Sequence, residues 1–413
     1  MAAAAGIREI LSDPPVRVVT LCVFVIMLGF GIVAPVLPLF ALSFGVDYAD
    51  AGLLVSSFAI ARLVCDPIAG PIVDRVGERI AATGGILVVA ASSVATGLAP
   101  TFPLAVVMRG TGGAGSAVLF AALYSYLLKV VPKERMARTS GVFYGSFNLG
   151  IIAGSPLGGL IGDRFGLDAP LYAYAVVLVM AAGLYLRFVP DPRPMATGEA
   201  AASTMERGLR ATVRASIALM RRRPVVTTMF VNFAYLWMVA AFYDTLVPLY
   251  GDQRLLMSTA AIGGAFSVAL VAEIIILYPA GAAADRLGRK PVLTWSLLAL
   301  ALAISVVGLA GNVAMFLVLL GLVGFASGAA GVVPTAMLSD VAPTERSGTA
   351  VGIYRFFGDL GFVFGPLAAG WTAEHLGLGF SFPIMVAPLA VAFLLVLATP
   401  ETLAKRSEGT QLS

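Results

Sequence analysis

The sequence predicts an all-α membrane protein with twelve transmembrane helices in two pseudo-symmetric bundles of six. Three observations lead to this prediction: an apolar composition, a series of apolar segments of membrane-crossing length, and an internal repeat of 211 residues. Of the 413 residues, 59% are apolar and 12% are charged, and the mean hydropathy is +0.94. A soluble domain carries about 25% charged residues, so a bilayer is the simplest environment for the surplus apolar side chains.

The composition also argues against several other classes of protein. Cys22 and Cys65 lie inside apolar runs and are interpreted as small buried side chains. His375 is the single histidine, which excludes a histidine-rich metal site. The net charge of +4 is too small to indicate a nucleic-acid surface. We expect no metal site and no cofactor, and an enzyme is the least expected class.

The apolar segments are long enough to cross a membrane as helices, which takes about 20 residues. They lack the alternating pattern of barrel strands. The predicted spans lie near residues 16–40, 48–71, 80–99, 102–129, 138–161, 170–189, 225–250, 259–282, 290–310, 313–340, 347–371 and 379–398. The predicted domains are a first bundle at 1–190, a cytoplasmic linker at 191–224, a second bundle at 225–400 and a cytoplasmic tail at 401–413. The arginine-rich linker is equally compatible with an amphipathic surface helix and with a plain tether.

The basic residues predict the orientation of the chain. If both termini are cytoplasmic, 22 of the 27 Lys and Arg residues fall on the cytoplasmic side, 2 on the outer side and 3 inside spans. Such an excess is typical of cytoplasmic loops. We therefore expect a multi-pass protein of the bacterial inner membrane with both termini in the cytoplasm.

The two halves of the sequence repeat each other. The pattern G-x-x-x-D-R-x-G at residues 70–77 recurs at residues 281–288, and the same shift maps residues 132–135 onto 343–346. Because six spans is an even number, both copies cross the membrane in the same direction. This arrangement is the parallel repeat of two six-helix bundles about an axis along the membrane normal.

Residues 70–79 and 281–290 resemble the signature loop of the major facilitator superfamily, and the resemblance covers essentially the whole chain. Glu78 stands where that loop usually has a basic residue. Arg109, followed by Gly113 and Gly115, resembles the fourth-span motif associated with proton coupling in the twelve-span drug:proton antiporter branch. The fifth-span antiporter motif of that branch is matched by Gly141, Gly145, Gly150, Gly154, Pro156 and Gly159. The resemblance implies export of a small molecule driven by inward proton flow.

The signature loops have a mechanical interpretation. Gly70 and Gly77 permit a tight turn and close helix approach. Asp74 is an anion that could cap the N-terminus of the eleventh span, and Arg75 would anchor the loop. Asp285 and Arg286 occupy the matching places in the second copy. Making and breaking these contacts would bias one transporter state over another, whereas the alternative is topological anchoring by positive charge alone.

Charges inside spans are costly and therefore point to function. Arg62 and Asp66 share one helix face, as do Arg355 and Asp359, because each pair is four residues apart. We predict contacts between the halves from Asp66 to Arg355 and from Arg62 to Asp359, which would close the cytoplasmic side. The alternative is two pairs that each neutralise themselves within one helix.

The proton-coupling candidates are four charged residues within spans. Glu273 has no oppositely charged residue one turn away, which suits reversible protonation. Asp359 and Asp66 are partnered candidates, and Arg109 could bind a deprotonated acid nearby. Asp244 lies near the outer end of the seventh span and is interpreted as solvated. The first span carries no acidic residue, unlike several well-known drug exporters.

Polar and aromatic residues within spans could line a substrate cavity, although packing is the commoner role for each of them. The candidates are Tyr144, Asn148, Asn232, Tyr235, Trp237, Phe266 and Tyr354. In the fifth span, Gly150, Gly154, Pro156 and Gly159 are expected to pack closely across the interface between the halves.

The leading hypothesis is a monomeric, proton-coupled exporter of a small organic molecule or drug, with lipid as its surroundings and no nucleic-acid partner. Within transporters, the alternative is a uniporter or symporter of a metabolite, sugar or lipid. From a different class, a non-transporting membrane sensor on the same fold is the further alternative.

Overall fold

The computed structural model describes residues 13–131, 133–189, 216–341 and 347–403. Within these residues we number twelve long helices α1–α12, one for each predicted span. Their bounds are α1 Pro14–Val33, α2 Tyr48–Val76, α3 Glu78–Gly97, α4 Phe102–Val130, α5 Lys133–Phe165, α6 Ala169–Phe188, α7 Arg223–Gln253, α8 Thr259–Leu287, α9 Arg289–Val307, α10 Val313–Val341, α11 Ser347–Leu376 and α12 Leu378–Ala398.

Ten of these helices, all but α5 and α11, are apolar enough and long enough to cross a membrane. The other two are the glycine-rich fifth helix of each half, with 33 and 30 residues. The chain is therefore an integral, multi-pass membrane protein. The predicted all-α fold is confirmed, since the described residues contain no strand.

The two halves pack their helices in the same order. In the first half α1 packs on α5 and α6, α2 on α4, and α3 on α4 and α6. In the second half α7 packs on α11 and α12, α8 on α10, and α9 on α10 and α12. Each half has its own apolar core, which gives the predicted pair of pseudo-symmetric bundles.

The glycines of the fifth helix pack mainly within their own half. A Cβ added to Gly150 or Gly154 would lie 2.5 or 2.1 Å from a carbonyl oxygen of α1. Of the four motif residues expected at the interface between the halves, Gly159 reaches it, where an added Cβ would lie 2.4 Å from Thr259 O. The expectation was therefore too broad. Small residues let α5 approach α1 closely, and that contact uses most of the motif.

The turn between α2 and α3 depends on Gly77, as predicted, and its repeat between α8 and α9 depends on Gly288. Both have positive φ angles, of 82° and 104°, which residues with a Cβ adopt only with strain. Gly70 differs from the prediction, because a Cβ there would meet no atom within 4 Å.

The linker prediction falls mostly outside the described residues, which resume at 216 with one short helical turn at 216–220. Leu219 in that turn packs against Val225, Met229, Leu338 and Ala350. Residues 404–413, the main part of the predicted tail, also lie outside the described residues.

Candidate functional site

The helices define two sides of the molecule. Both ends of the described chain and the connections after α2, α4, α8 and α10 lie on one side, which we call the terminal side. The connections after α1, α3, α5, α7, α9 and α11 lie on the other, the far side. The candidate site is the interface between the two halves, because it runs from one side to the other.

Near the far side the halves are in close backbone contact along two seams, α2 against α11 and α5 against α8. A Cβ added to Gly370 would lie 2.2 Å from Tyr48 O, and one added to Gly159 would lie 2.4 Å from Thr259 O. The repeat of 211 residues relates Tyr48 to Thr259 and Gly159 to Gly370. The two seams are therefore symmetric copies of one contact.

One serine hydroxyl crosses each seam. Ser56 Oγ donates to Val363 O over 2.7 Å, and Ser267 Oγ donates to Ile152 O over 3.4 Å. These residues are again related by the same shift. Closer to the terminal side the symmetry ends, because the next residues along the two seams differ in charge.

Arg62 and Asp359 form an ion pair between α2 and α11, at the middle of both helices. Their side chains are 19% and 8% exposed, and the guanidinium carbon lies 5.8 Å from the centre of the Phe362 ring. The structure thus brings together two residues that the sequence placed in contact. The pair is formed in a structure whose far-side seams are packed, and its role in closing the terminal side stays a prediction.

The other predicted contact, between Asp66 and Arg355, is not formed. No ion pair joins them, although both side chains are among those described. Asp66 lies within hydrogen-bonding reach of the Asp359 carboxyl instead, and Arg355 acts on it from a longer distance. The reason is that Arg62 shares a helix face with Asp66 and draws Asp359 toward α2. Beyond this cluster, the described hydrogen bonds between the halves lie nearer the far side: the two serine bonds given above and one from Tyr48 N–H to Glu374 Oε2 over 3.1 Å.

Glu273 lies inside the second half, between α7, α8 and α10. Tyr235 donates its hydroxyl to Glu273 Oε1 over 3.3 Å, and Ser327 Oγ donates to Oε2 over 3.4 Å. Both partners are neutral. The carboxyl of Glu273 is therefore held without a cation beside it in the part of the chain that the structure describes.

Glu273 occupies in the second half the position that Arg62 occupies in the first. Shifting by 211 residues maps Arg62 onto Glu273 and Asn148 onto Asp359. One seam thus carries a cation and an acid that bond to each other, whereas the other carries an acid that turns into its own half. The two seams share their backbone contacts and differ in their titratable groups.

Arg109 in α4 and Asp244 in α7 are buried charges on opposite halves, and no ion pair between them is formed in this structure. They are 3% and 9% exposed, and each acts on the other electrostatically. The Arg109 guanidinium lies 4.5 Å from the centre of the Phe58 ring, while its Nε and Nη1 atoms have no hydrogen-bond partner. The interpretation of Asp244 as solvated was wrong. The eight residues Val239–Leu246, which include Asp244, are π-helical, and such segments often mark functional sites.

The signature aspartate is paired in the second loop, whereas the charged residues Asp74 and Arg75 of the first loop are exposed. Asp285 pairs with Arg289, although its own side chain is 68% exposed. Asp74, Arg75 and Arg286 are exposed. The predicted cap from Asp74 onto α11 involves residues 342–346, which lie outside the described residues.

The cavity candidates separate into groups. Asn232 is 4% exposed and donates to Tyr354 O over 2.7 Å, so its amide supports α11 from within the half. Phe266 is 3% exposed in the apolar core of the second half. The hydroxyl of Tyr235 belongs to the Glu273 cluster. The side chain of Tyr144 lies outside the described part of the chain. Asn148, Trp237 and Tyr354 are half-buried.

Two repeated bundles, seamed on one side and carrying buried charges between them, form the architecture of a secondary transporter. The sequence profile described as Major Facilitator Superfamily matches residues 19–263 and 253–412. The chain belongs to the Major Facilitator Superfamily, whose members transport small-molecule substrates.

Several curated relatives carry names connected with drug resistance. The chain is 24% identical over 352 residues to Multidrug resistance protein 2 of Bacillus subtilis, covering 84% of this chain and 86% of that protein. It is 24% identical over 351 residues to Quinolone resistance protein NorA of Staphylococcus aureus, covering 84% and 87%.

Solved structures with the same fold include the nucleoside transporter NupG, with a TM-score of 0.75 and 16% identity over 93% of this chain and 99% of that one. The human organic anion transporter MFSD10 has a TM-score of 0.66 and 20% identity, with the same coverage. At these identities the likeness concerns the fold alone.

Proposed function

We propose that this protein exports a small organic molecule in exchange for protons, by alternating access. The observation that carries the proposal is the difference between the two seams. They repeat the same backbone contacts, yet one holds the Arg62–Asp359 ion pair and the other holds Glu273 with neutral partners. An acid without a cation in an apolar span can bind and release a proton.

The names of the relatives support the export of drug-like compounds. The excess of Lys and Arg on the terminal side supports a cytoplasmic location for that side, in a bacterial inner membrane. In this orientation the closed far-side seams face outward, as expected of an inward-facing state. The fold of one chain supplies both halves of the transport pathway, which supports a monomer.

Arg109 and Asp244 fit the same scheme. The first span has no acidic residue, and Asp244 supplies one from α7, which is the symmetry equivalent of α1. We assign Asp244 and Glu273 as proton-binding residues. Arg109 would favour the ionised form of Asp244. Asp66 and Asp359 form the mid-helix cluster, whose contacts would change when the transporter closes. Differential contacts of a few kcal/mol are enough to shift such an equilibrium.

A second candidate is uniport or symport of an anionic metabolite. It is favoured by the two unpartnered nitrogen atoms of buried Arg109, because guanidinium groups bind carboxylates and phosphates.

The test is proton flux in acid-loaded proteoliposomes with a trapped pH dye. Cationic, neutral and anionic compounds are added outside, and Glu273→Gln is measured beside the wild type. Antiport predicts compound-triggered proton release that Glu273→Gln abolishes. Asp163→Asn is the matched control, since it removes one acid from the exposed far-side end of α5. Compound uptake without any pH change would contradict the proposal.

A further inference from the structure

The two carboxyl oxygens of Glu273, the middle residue of α8, form a ring with two hydroxyl oxygens. The Tyr235 hydroxyl lies 3.3 Å from Oε1, the Ser327 hydroxyl lies 3.4 Å from Oε2, and the two hydroxyls lie 3.4 Å from each other. Typical O–H···O hydrogen bonds are shorter, at roughly 2.5–3.0 Å. The ring is therefore wider than direct hydrogen bonding requires.

A fifth oxygen faces this ring from α7. Tyr243 lies in the π-helical segment Val239–Leu246 and is 4% exposed. Its hydroxyl makes no hydrogen bond with any described residue, yet it approaches the Ser327 hydroxyl and interacts electrostatically with Glu273. A buried hydroxyl without a partner costs free energy, so a cation bound beside its lone pairs would stabilise it. We call the side chains of Tyr235, Tyr243, Glu273 and Ser327 the oxygen cluster.

A glycine of α10 keeps space beside the oxygen cluster. A Cβ added to Gly331 would lie 2.6 Å from the Tyr235 hydroxyl oxygen, so a larger residue there would displace that oxygen. Ser327 is fully buried, whereas Glu273 and Tyr235 are half-buried. An ion can therefore reach the cluster from the side of Glu273 and Tyr235.

The first half has no counterpart to the oxygen cluster. Three of its four residues are replaced there by residues that carry no ligand oxygen. By the shift of 211 residues, Tyr235, Tyr243 and Glu273 correspond to Phe24, Ile32 and Arg62. Packing of the repeated helices therefore does not require these oxygens. Where the second half carries an acid among hydroxyls, the first half carries its own cation, the guanidinium of Arg62.

We propose that the oxygen cluster is a binding site for Na⁺. Hard cations take oxygen ligands, and hydroxyl oxygens have lone pairs to offer them. One carboxylate balances one positive charge, which favours a monovalent ion over a divalent one inside a span.

The size of the ring suits Na⁺. Neighbouring oxygens 3.3–3.4 Å apart that subtend a right angle at an ion lie about 2.4 Å from it, within the roughly 2.3–2.6 Å that Ca²⁺ keeps to its oxygen ligands. Na⁺ is nearly the same size as Ca²⁺, whereas K⁺ is larger and needs a wider ring. The sequence predicts no metal site because it lacks clusters of histidine and cysteine, which are ligands of transition metals. Hydroxyl residues mark a site only once the fold brings them together.

The inference goes beyond the proposed function and does not depend on it. Glu273 can hold a proton or Na⁺, one at a time, since it carries one negative charge. Binding of Na⁺ is measurable without a substrate or a proton gradient. Absence of Na⁺ binding would leave proton exchange untouched, and absence of proton exchange would leave Na⁺ binding untouched, so the two failures are distinguishable.

The test is equilibrium binding of radioactive Na⁺ to the purified full chain in detergent, with choline chloride keeping the ionic strength constant. We expect saturable binding that unlabelled Na⁺ displaces, that K⁺ displaces less well, and that choline does not displace. Glu273→Gln should abolish binding. Tyr243→Phe and Ser327→Ala should each weaken it at least about ten-fold, the lower end of effects typical of groups that support a metal site.

A matched pair of glycine variants makes the test specific. Gly331→Ala should weaken binding because its Cβ displaces the Tyr235 hydroxyl. Gly321→Ala, on the same helix, would have its nearest contact at 3.8 Å and should bind Na⁺ like the wild type.

Tyr243→Phe guards against loss of folding as an explanation. It removes an oxygen that has no hydrogen-bond partner among the described residues, so we expect a folded protein with the thermal stability of the wild type. Folded wild type without saturable Na⁺ binding would overturn the proposal. So would unchanged binding by Glu273→Gln or Tyr243→Phe, or equal displacement by K⁺ and Na⁺.

Discussion

The Arg62–Asp359 ion pair joins the two halves at mid-helix, where both side chains are largely buried. Removing one member of such a pair is costlier than removing both, because the remaining charge has no partner. Its neighbour Asp66 adds a second carboxyl to the cluster. A change in the charge of this cluster should therefore change the contact between the two halves.

Asp359→Asn should lower the free energy of unfolding by at most about 3–5 kcal/mol, since Arg62 loses its ion-pair partner and keeps only Asp66 on the same helix face as a nearby acid. The double variant Arg62→Gln/Asp359→Asn should lose less than Asp359→Asn alone. Thermal unfolding in detergent measures both variants. A double variant less stable than Asp359→Asn would show that the pair contributes through packing and not through charge.

Asp244→Asn should reduce proton-driven export at least about a hundred-fold, the lower end of what a positioned proton-transfer group typically contributes. Exchange of substrate across the membrane without a proton gradient should continue, because a neutral asparagine at position 244 still allows the far side to close. Asp252→Asn, which removes an acid from the end of the same helix, is the control. Equal export by the Asp244 and Asp252 variants would exclude Asp244 from proton coupling.

At the scale of helices, the α5–α8 seam depends on the absence of a side chain at Gly263. A Cβ there would lie 2.4 Å from Ser155 O, whereas a Cβ on the adjacent Gly264 would meet no atom within 4 Å. Gly263→Ala should therefore open the far side and raise proton leak through proteoliposomes, while Gly264→Ala should not. Dye-reported leak at a fixed pH gradient measures the difference, and equal leak from both variants would contradict the packing account.

The start of α9 is capped by Glu401, which follows α12. Burial raises the pKa of its carboxyl, but the backbone N–H groups of Leu403, Arg289, Lys290 and Thr402 lower it more, so the net pKa is below its usual value. A lowered pKa stabilises the fold above the unfolded value of about 4.3, and the effect is lost as the pH falls through the folded pKa.

Glu401→Gln should accordingly lower the Tm at pH 7, and the difference from the wild type should shrink as the pH is lowered below about 4. Glu401→Asp, whose carboxyl is one methylene shorter, should also lose part of the cap. Thermal unfolding at several pH values provides the measurement. A difference in Tm that is independent of pH would mean that the carboxylate is not the stabilising group.

At the scale of the whole molecule, the sequence was sufficient for the helices, the two bundles and the contact between Arg62 and Asp359. Hydropathy, charge distribution and the repeat each follow from local composition. The absent contact between Asp66 and Arg355 and the burial of Asp244 depend on how three helices converge. One available signal was that α7 carries an acid where its equivalent, α1, has none.

The most direct test of proton-driven export starts with equal concentrations of a responsive compound inside and outside proteoliposomes, and then imposes a pH gradient. Antiport predicts net accumulation in the acidic compartment, because protons leaving that compartment drive the compound into it. Protein-free liposomes and Glu273→Gln correct for passive trapping of weak bases. An unchanged distribution would indicate a uniporter, and accumulation in the alkaline compartment would indicate a symporter; either result would contradict the account.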